Sequence, residues 1–182
     1  MAAITSGEII LKYSIRTGSA GNSTTSAAAT SLGKYVSTTA WAGGALNDLF
    51  DDISGAENAA STVDYRCIFV HNTNSANTLQ NAVVYISAEV AGGASIAIAT
   101  DNIAASAVGA TSAQAAEITN ETTAPSGVSA FSSPTTIGTG LSLGNINTGQ
   151  VKAFWIRRTA SNSAALSSDG VTIAVTGDTG SL

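Results

Sequence analysis

One cysteine, one histidine, one methionine and two prolines occur in 182 residues, and only 10% of the chain is charged and 5% aromatic. Each shortage excludes something. Cys67 has no second cysteine to bridge, and beside Ile68 and Phe69 it reads as a buried, inert thiol. A zinc site needs several N or S ligands converging, and Cys67 with His71 is too few. His71 is also the only side chain whose ordinary pKa lies near neutrality, and its place at the end of a strand, before a polar turn, suits a structural role. The acidic group Asp48, Asp51 and Asp52 lacks the alternating spacing of a calcium loop and reads as the solvated face of a short helix. Gly43-Gly44 and Gly92-Gly93 have neither the spacing nor the lysine of a phosphate-cradling loop and read as turns. No nucleophile with its base, no paired acids across a cleft and no cofactor or metal set stands out, so the expectation is a protein that is not an enzyme.

Cations are scarce as well. Lys and Arg number 7 against 12 acidic residues, for a net charge of −5, and none lies between Arg66 and Lys152. Arg157 and Arg158 are adjacent, but on a strand they point to opposite faces. A phosphate-binding surface needs clustered cations, so direct nucleic-acid binding is not expected. No apolar run approaches the roughly 18 residues of a membrane-spanning helix, and no membrane partner is expected. The first residues have neither a basic region nor an apolar run, which predicts synthesis and folding in a cytoplasm without a secretory signal.

What the chain does have is small side chains: Ala, Ser, Thr and Gly supply 98 residues, about 54%. Helix formers other than Ala are few, with nine Leu, five Glu, three Lys and three Gln. A hydrophobic share of 44% nevertheless separates it from disordered chains. The clearest segments are short and rich in β-branched or aromatic residues, which predicts strands at Glu8–Ile15, Lys34–Thr39, Asp64–His71, Ala82–Glu89, Ser95–Thr100, Gln150–Arg158 and Gly170–Thr176. Asp64–His71 is apolar on both faces, as expected of a central strand buried on both sides or packed against another subunit. Gln150–Arg158 behaves similarly, whereas Gly170–Thr176 alternates as a half-exposed strand does.

Asn-rich and Gly-rich punctuation such as Asn72–Asn77 and Asn147–Gly149 separates the strands, which favours an antiparallel sandwich or barrel over alternating βαβ units. Spacings of three and four among Leu46, Leu49, Phe50 and Ile53 predict a single short helix over Ala45–Ile53. Two small-residue runs are predicted to be irregular. Thr17–Ser31 is a mobile loop or an arm that orders against a neighbour, and Ala104–Ser126 is a long loop. The chain divides into residues 1–45, a strand and arm region with a flexible loop, and residues 46–182, the sandwich domain. Most aromatic residues fall on strands as core. Trp41 and Phe50 lie off them, as anchors that either pack this segment down or meet a partner.

Several strings carry more than composition. Leu46–Asn74, LNDLFDDISGAENAASTVDYRCIFVHNTN, followed by TLQNAVVYIS at Thr78–Ser87, resembles a recurring pattern in virion structural proteins of tailed bacteriophages. LSLGNINTGQVKAFWIRRT at Leu141–Thr159 and DGVTIAVTGDT at Asp169–Thr179 are similar to its closing part. The resemblance leaves out the first 45 residues. It implies an all-β fold, an antiparallel β-sandwich of immunoglobulin-like or jelly-roll type, here with an N-terminal arm or extension and one short helix. It also implies a capsid decoration, or cement, protein in the virion, seated on the outer surface of the head. The implied partners are the major capsid protein, whose neighbouring subunits it would clamp, and further copies of itself in a homotrimer at local three-fold positions. The alternative is a tail, baseplate or fibre component that contacts host-surface glycans, with Trp41 as a loop aromatic. Neither role asks for a cofactor.

Overall fold

Alternating β-branched and aromatic residues pair into nine antiparallel strands, seen in a computed structural model that describes residues 3–18 and 24–181. In chain order these are β1 (Ile9–Ile15), β2 (Tyr35–Ala40), β3 (Val63–Asn72), β4 (Asn77–Glu89), β5 (Ser95–Thr100), β6 (Ser106–Ala107), β7 (Leu141–Ile146), β8 (Gln150–Thr159) and β9 (Val171–Ser181). A six-stranded sheet runs β2-β1-β3-β8-β5, with β6 also pairing to β8, and a three-stranded sheet runs β7-β4-β9. The two sheets pack face to face as an all-β sandwich. The strand seen only in the structure with substantial length is β7, whose Leu141, Leu143 and Ile146 are separated by Ser, Gly and Asn, too weak a pattern to read alone. β4 also starts earlier than its apolar run. Asn81 adopts a left-handed φ of 51° at an irregularity in the pairing, and Asn77 to Gln80 continue the strand before it.

β3 and β8 form the centre and pair without interruption from Val63↔Thr159 to His71↔Val151. Their even-numbered apolar residues Ile68, Val70, Phe154 and Ile156 point at the second sheet, where Leu79, Val84, Ile86, Leu143 and Ile146 meet them. Their odd-numbered residues Tyr65, Cys67, Phe69, Val151, Ala153 and Trp155 face the other way into a second core. β3 is therefore buried on both faces within one chain. Irregular backbone covers that second face: Leu32, Ala113, Ala115 and Ile118 close over Trp155, which has no exposed surface. Close approach depends on Gly33, with φ +93°, because a Cβ there would lie 1.8 Å from the Ala116 carbonyl oxygen.

The long segment expected as a loop at Ala104–Ser126 thus has no regular length but is tied down. Its anchor is the buried Asp101, whose carboxylate accepts from Trp155 Nε1 at 3.1 Å, Ala116 N at 2.9 Å and Ile103 N at 3.1 Å. The early region is built in as well. β1 lies between β2 and β3, and Tyr13, Ser14 and Ile15 are buried. Residues 19–23 of the expected loop Thr17–Ser31 lie outside the described residues. Past them, Ser31 donates to the Cys67 carbonyl at 2.6 Å and accepts from Ser14 N at 3.0 Å, fixing this stretch beneath β1 and β3.

The helix is not at Ala45–Ile53. That segment bends irregularly, and α1 is Gly55–Ala60. Three successive features explain the difference. Gly43, Gly44 and Asn47 take positive φ, which no α-helix contains. The carbonyls of Asp48, Leu49 and Asp51 accept from the side chains of Tyr13, Arg66 and Arg158, in place of amides one turn on. Ser54 and Glu57 form a capping box immediately afterwards, with Glu57 Oε2 accepting from Ser54 N at 2.7 Å, so the helix starts there.

Candidate functional site

The most elaborate side-chain arrangement lies where residues 41–54 cross the end of the sandwich. Asp64, Arg66 and Arg158 sit on the face of β3 and β8 that carries Ile68 and Ile156, so strand alternation carries three charged groups inward. Arg158 donates to Asp64 Oδ2 from Nη2 at 2.7 Å and from Nε at 3.1 Å, and reaches Asp51 Oδ1 at 3.2 Å. Arg66 donates to the Leu49 carbonyl at 3.1 Å, to its neighbour Tyr65 at 3.1 Å and to the Glu121 carboxylate. The Phe50 ring centroid lies 5.3 Å from the Arg66 guanidinium carbon and 4.8 Å from that of Arg158, within cation–π range of both. Two buried cations thus rivet residues 41–54, a strap across the sandwich end, at Leu49, Phe50 and Asp51.

Trp41 and Phe50 are both half-buried against the inter-sheet core. Phe50 packs on the two arginines, and the Trp41 Nε1 and Asp48 Oδ2 atoms are enclosed without a hydrogen-bond partner. The side chain that the strap holds out is Leu46, 83% exposed, at the tip between Gly44 and Asn47. Beside the rivet lies a recess of about 400 Å³, lined by Asn47, Asp51, Arg66, Asn120 and Glu121. Sequence reading overlooked Arg66, Arg158 and Asp64. Their signal was present, since each falls in register with the inward apolar residues of its strand.

The remaining chemistry-bearing groups are dispersed. Cys67 is completely buried, and burial, with the Asp101 charge adding to it, pushes its thiol well above the usual range. His71 lies on the second face of β3, half-buried; burial and then the nearby Lys12 charge lower its pKa to about 4, so it is neutral at pH 7. Lys152 donates its ammonium to the carbonyls of Asp101, at 2.6 Å, and Ile103. Burial lowers its pKa, with Asp101 opposing. Arg157 and Arg158 do point apart: Arg158 turns to Asp64, and Arg157 lies 5.2 Å from the Phe131 ring on the opposite face. Among the described residues no group of three or more His, Cys, Asp or Glu converges as metal ligands, and no helix is long and apolar enough to cross a membrane.

The two flanks of the sandwich differ in their closure. On the β5 side, Ile98 and Ser132 exchange both backbone hydrogen bonds, at 2.8 and 3.0 Å, and Ile86 N donates to Pro134 O at 2.8 Å, so one segment joins both sheets. On the β9 side the sheets are bridged by the strap and the N-terminal residues, leaving a recess of about 270 Å³ between β9 and β1. No protein-family model, no curated protein and no solved structure matches this chain.

Proposed function

We propose that the protein is a structural component of a tailed-phage particle, a capsid decoration or cement protein that binds the outer surface of the head and stabilises contacts between major capsid protein subunits. The observation that carries this reading is where the phage-like strings fall. Leu46–Asn74 contains Leu49, Phe50, Asp51, Asp64 and Arg66, and Leu141–Thr159 supplies Arg158, so the strings contain nearly all of the charged rivet that fixes the strap. Residues that resemble the pattern are those that hold the irregular segment 41–54 against the sandwich.

The action is thermodynamic. A ligand that binds the assembled shell but not its separated subunits stabilises the shell by mass action, by about 2.7 kcal/mol per site at a free concentration of roughly 100 Kd. With only 10% of its residues charged, the chain has few charged groups to desolvate, which suits contacts whose buried centre is depleted of charge. Copies arranged as a homotrimer would match the local three-fold axes of an icosahedral shell. Cryo-electron microscopy of the intact particle tests the reading: density for this sandwich on the outer head surface, in hundreds of copies, is expected. A few copies on the tail would replace it with the alternative, a tail or fibre component, for which the recess beside Arg66, with an apolar wall of Ala28, Ala29 and Leu32, offers hydroxyl-rich glycans the amide and carboxylate groups of Asn47, Asn120, Asp51 and Glu121.

A further inference from the structure

An exposed strand edge presents a row of unpaired backbone N–H and C=O groups, and folded proteins usually blunt it with Lys, Pro, a bulge or covering chain. Among the described residues three edges are treated in this way. β5 pairs with residues 128–132, β2 bonds to Thr24 and Ser26, and β7 is six residues long with Gly144 in left-handed backbone. β9 is not. It runs for eleven residues without Lys, Arg or Pro, and its edge away from β4 has no main-chain partner among the described residues. The hydrogen bond found there is from Ile4 N to the Thr179 hydroxyl at 3.2 Å, at the far end of the strand.

The recess beside this edge has apolar walls, formed by Ile9 and Leu11 of β1 with Leu79 and Val175 of the smaller sheet. At about 270 Å³ it is below the roughly 300–1,000 Å³ of small-molecule pockets, and Val175, Thr176, Gly177 and Thr179 of β9 line it. A strand laid on β9 would send alternate side chains into it and the others to solvent. Charge narrows the occupant further. β4, β7 and β9 contain no Lys or Arg, while the exposed Asp178 of β9 and Glu8, whose carboxylate accepts from Thr5 beside the recess, are acidic.

We propose that the free edge of β9 accepts an extended strand from a partner protein, with aliphatic side chains at alternate positions and basic flanks. A second copy of this chain has no such strand to offer: its strands with basic residues, β1, β3 and β8, are already paired on both sides, and its own β9 edge is acidic like this one. Any protein with this strand pattern would fit, so failure of the shell reading leaves the edge site standing.

The test uses the full chain and the synthetic peptide Lys-Val-Thr-Val-Thr-Val-Thr-Val-Lys, with amide hydrogen exchange as readout. Binding is expected to slow exchange of amides between Val171 and Asp178 by at least ~10-fold. The half-buried Thr176 borders the recess, and Thr176→Trp is expected to weaken binding by ~10-fold, equivalent to about 1.4 kcal/mol. Should that variant fold poorly, Asp178→Lys at an exposed position is expected to weaken the lysine-ended peptide and to leave a serine-ended one unchanged. Absence of slowing at millimolar peptide, slowing confined to β2, β5 or β7, or unaltered binding by the variants would overturn the proposal. Slowing that depends on protein concentration without peptide would overturn it too, in favour of a second copy.

Discussion

On one face of the six-stranded sheet, Ile68, Val70, Phe154 and Ile156 meet the aliphatic face of a second sheet; on the other, Cys67, Phe69, Ala153 and Trp155 meet chain without regular structure. The first face is held by periodic apolar burial. The second is closed by small residues and placed hydrogen bonds: Asp101 to Trp155 and Ala116, and Ser31 to Cys67 and Ser14. Irregular backbone can cover a core only if its own polar groups find partners. Here Ala113 and Ala115 let that backbone come close, and a single carboxylate satisfies three donors. The comparison explains how a chain so rich in Ala, Ser and Thr builds two cores: large residues concentrate on β3 and β8, and small ones allow the cover to approach.

This difference can be broken by substitution. Phe154→Ala, in the face between the sheets, should have the largest effect, a loss of about 4 kcal/mol seen as a lower denaturant midpoint for the whole molecule. Asp101→Ala should cost about 3 kcal/mol, because buried donors on Trp155 and Ala116 lose their acceptor. Its signature differs: hydrogen exchange should rise first in residues 101–118 while β4 and β7 stay protected. A uniform rise would mean that the two faces unfold as one unit.

Acid supplies a finer probe of the second face. His71 has a folded pKa of about 4, below its ordinary 6.5, so between those values the unfolded chain binds the extra proton. Its contribution to stability is therefore present above about pH 6.5 and lost as pH falls towards 4; a shift of that size is worth about 3 kcal/mol in a fully buried group, and solvent screening of this half-exposed ring reduces it to ~2 kcal/mol. His71→Gln should flatten that part of the stability curve, and an unchanged slope would assign the loss to other groups. The smallest effect expected is that of Ser31→Ala, about 1 kcal/mol by thermal unfolding, from hydrogen bonds to Cys67 and Ser14.

The same division governs what could be read in advance. β3, β5 and β8 were legible because β-branched and aromatic residues fill them, and Ser95–Thr100 is the expected span without change. The turn at Asn72–Asn77 also follows expectation, with Asn74 Oδ1 accepting from Ala76 N at 2.9 Å and Asn77 N at 2.7 Å. Residues 45–53 misled because a three-and-four spacing is equally satisfied by a strap. Leu49 is buried and Leu46 is 83% exposed, and long-range capture of carbonyls by Arg66 and Arg158 decides the conformation. The cover formed by residues 101–133 carries no period at all, since its order comes from contacts with residues far away in sequence. At the candidate site the sequence singled out Trp41 and Phe50, and the inward Arg66 and Arg158 beside Phe50 emerge only when strand alternation is read for charges as well as for apolar residues.

The shell-binding account is tested most directly by adding the purified protein to expanded phage heads that lack it, and measuring copies bound per head together with the temperature at which DNA escapes. Saturation at hundreds of copies with a raised release temperature is the predicted result. Saturation at a few copies, or an unchanged release temperature at saturation, would contradict it.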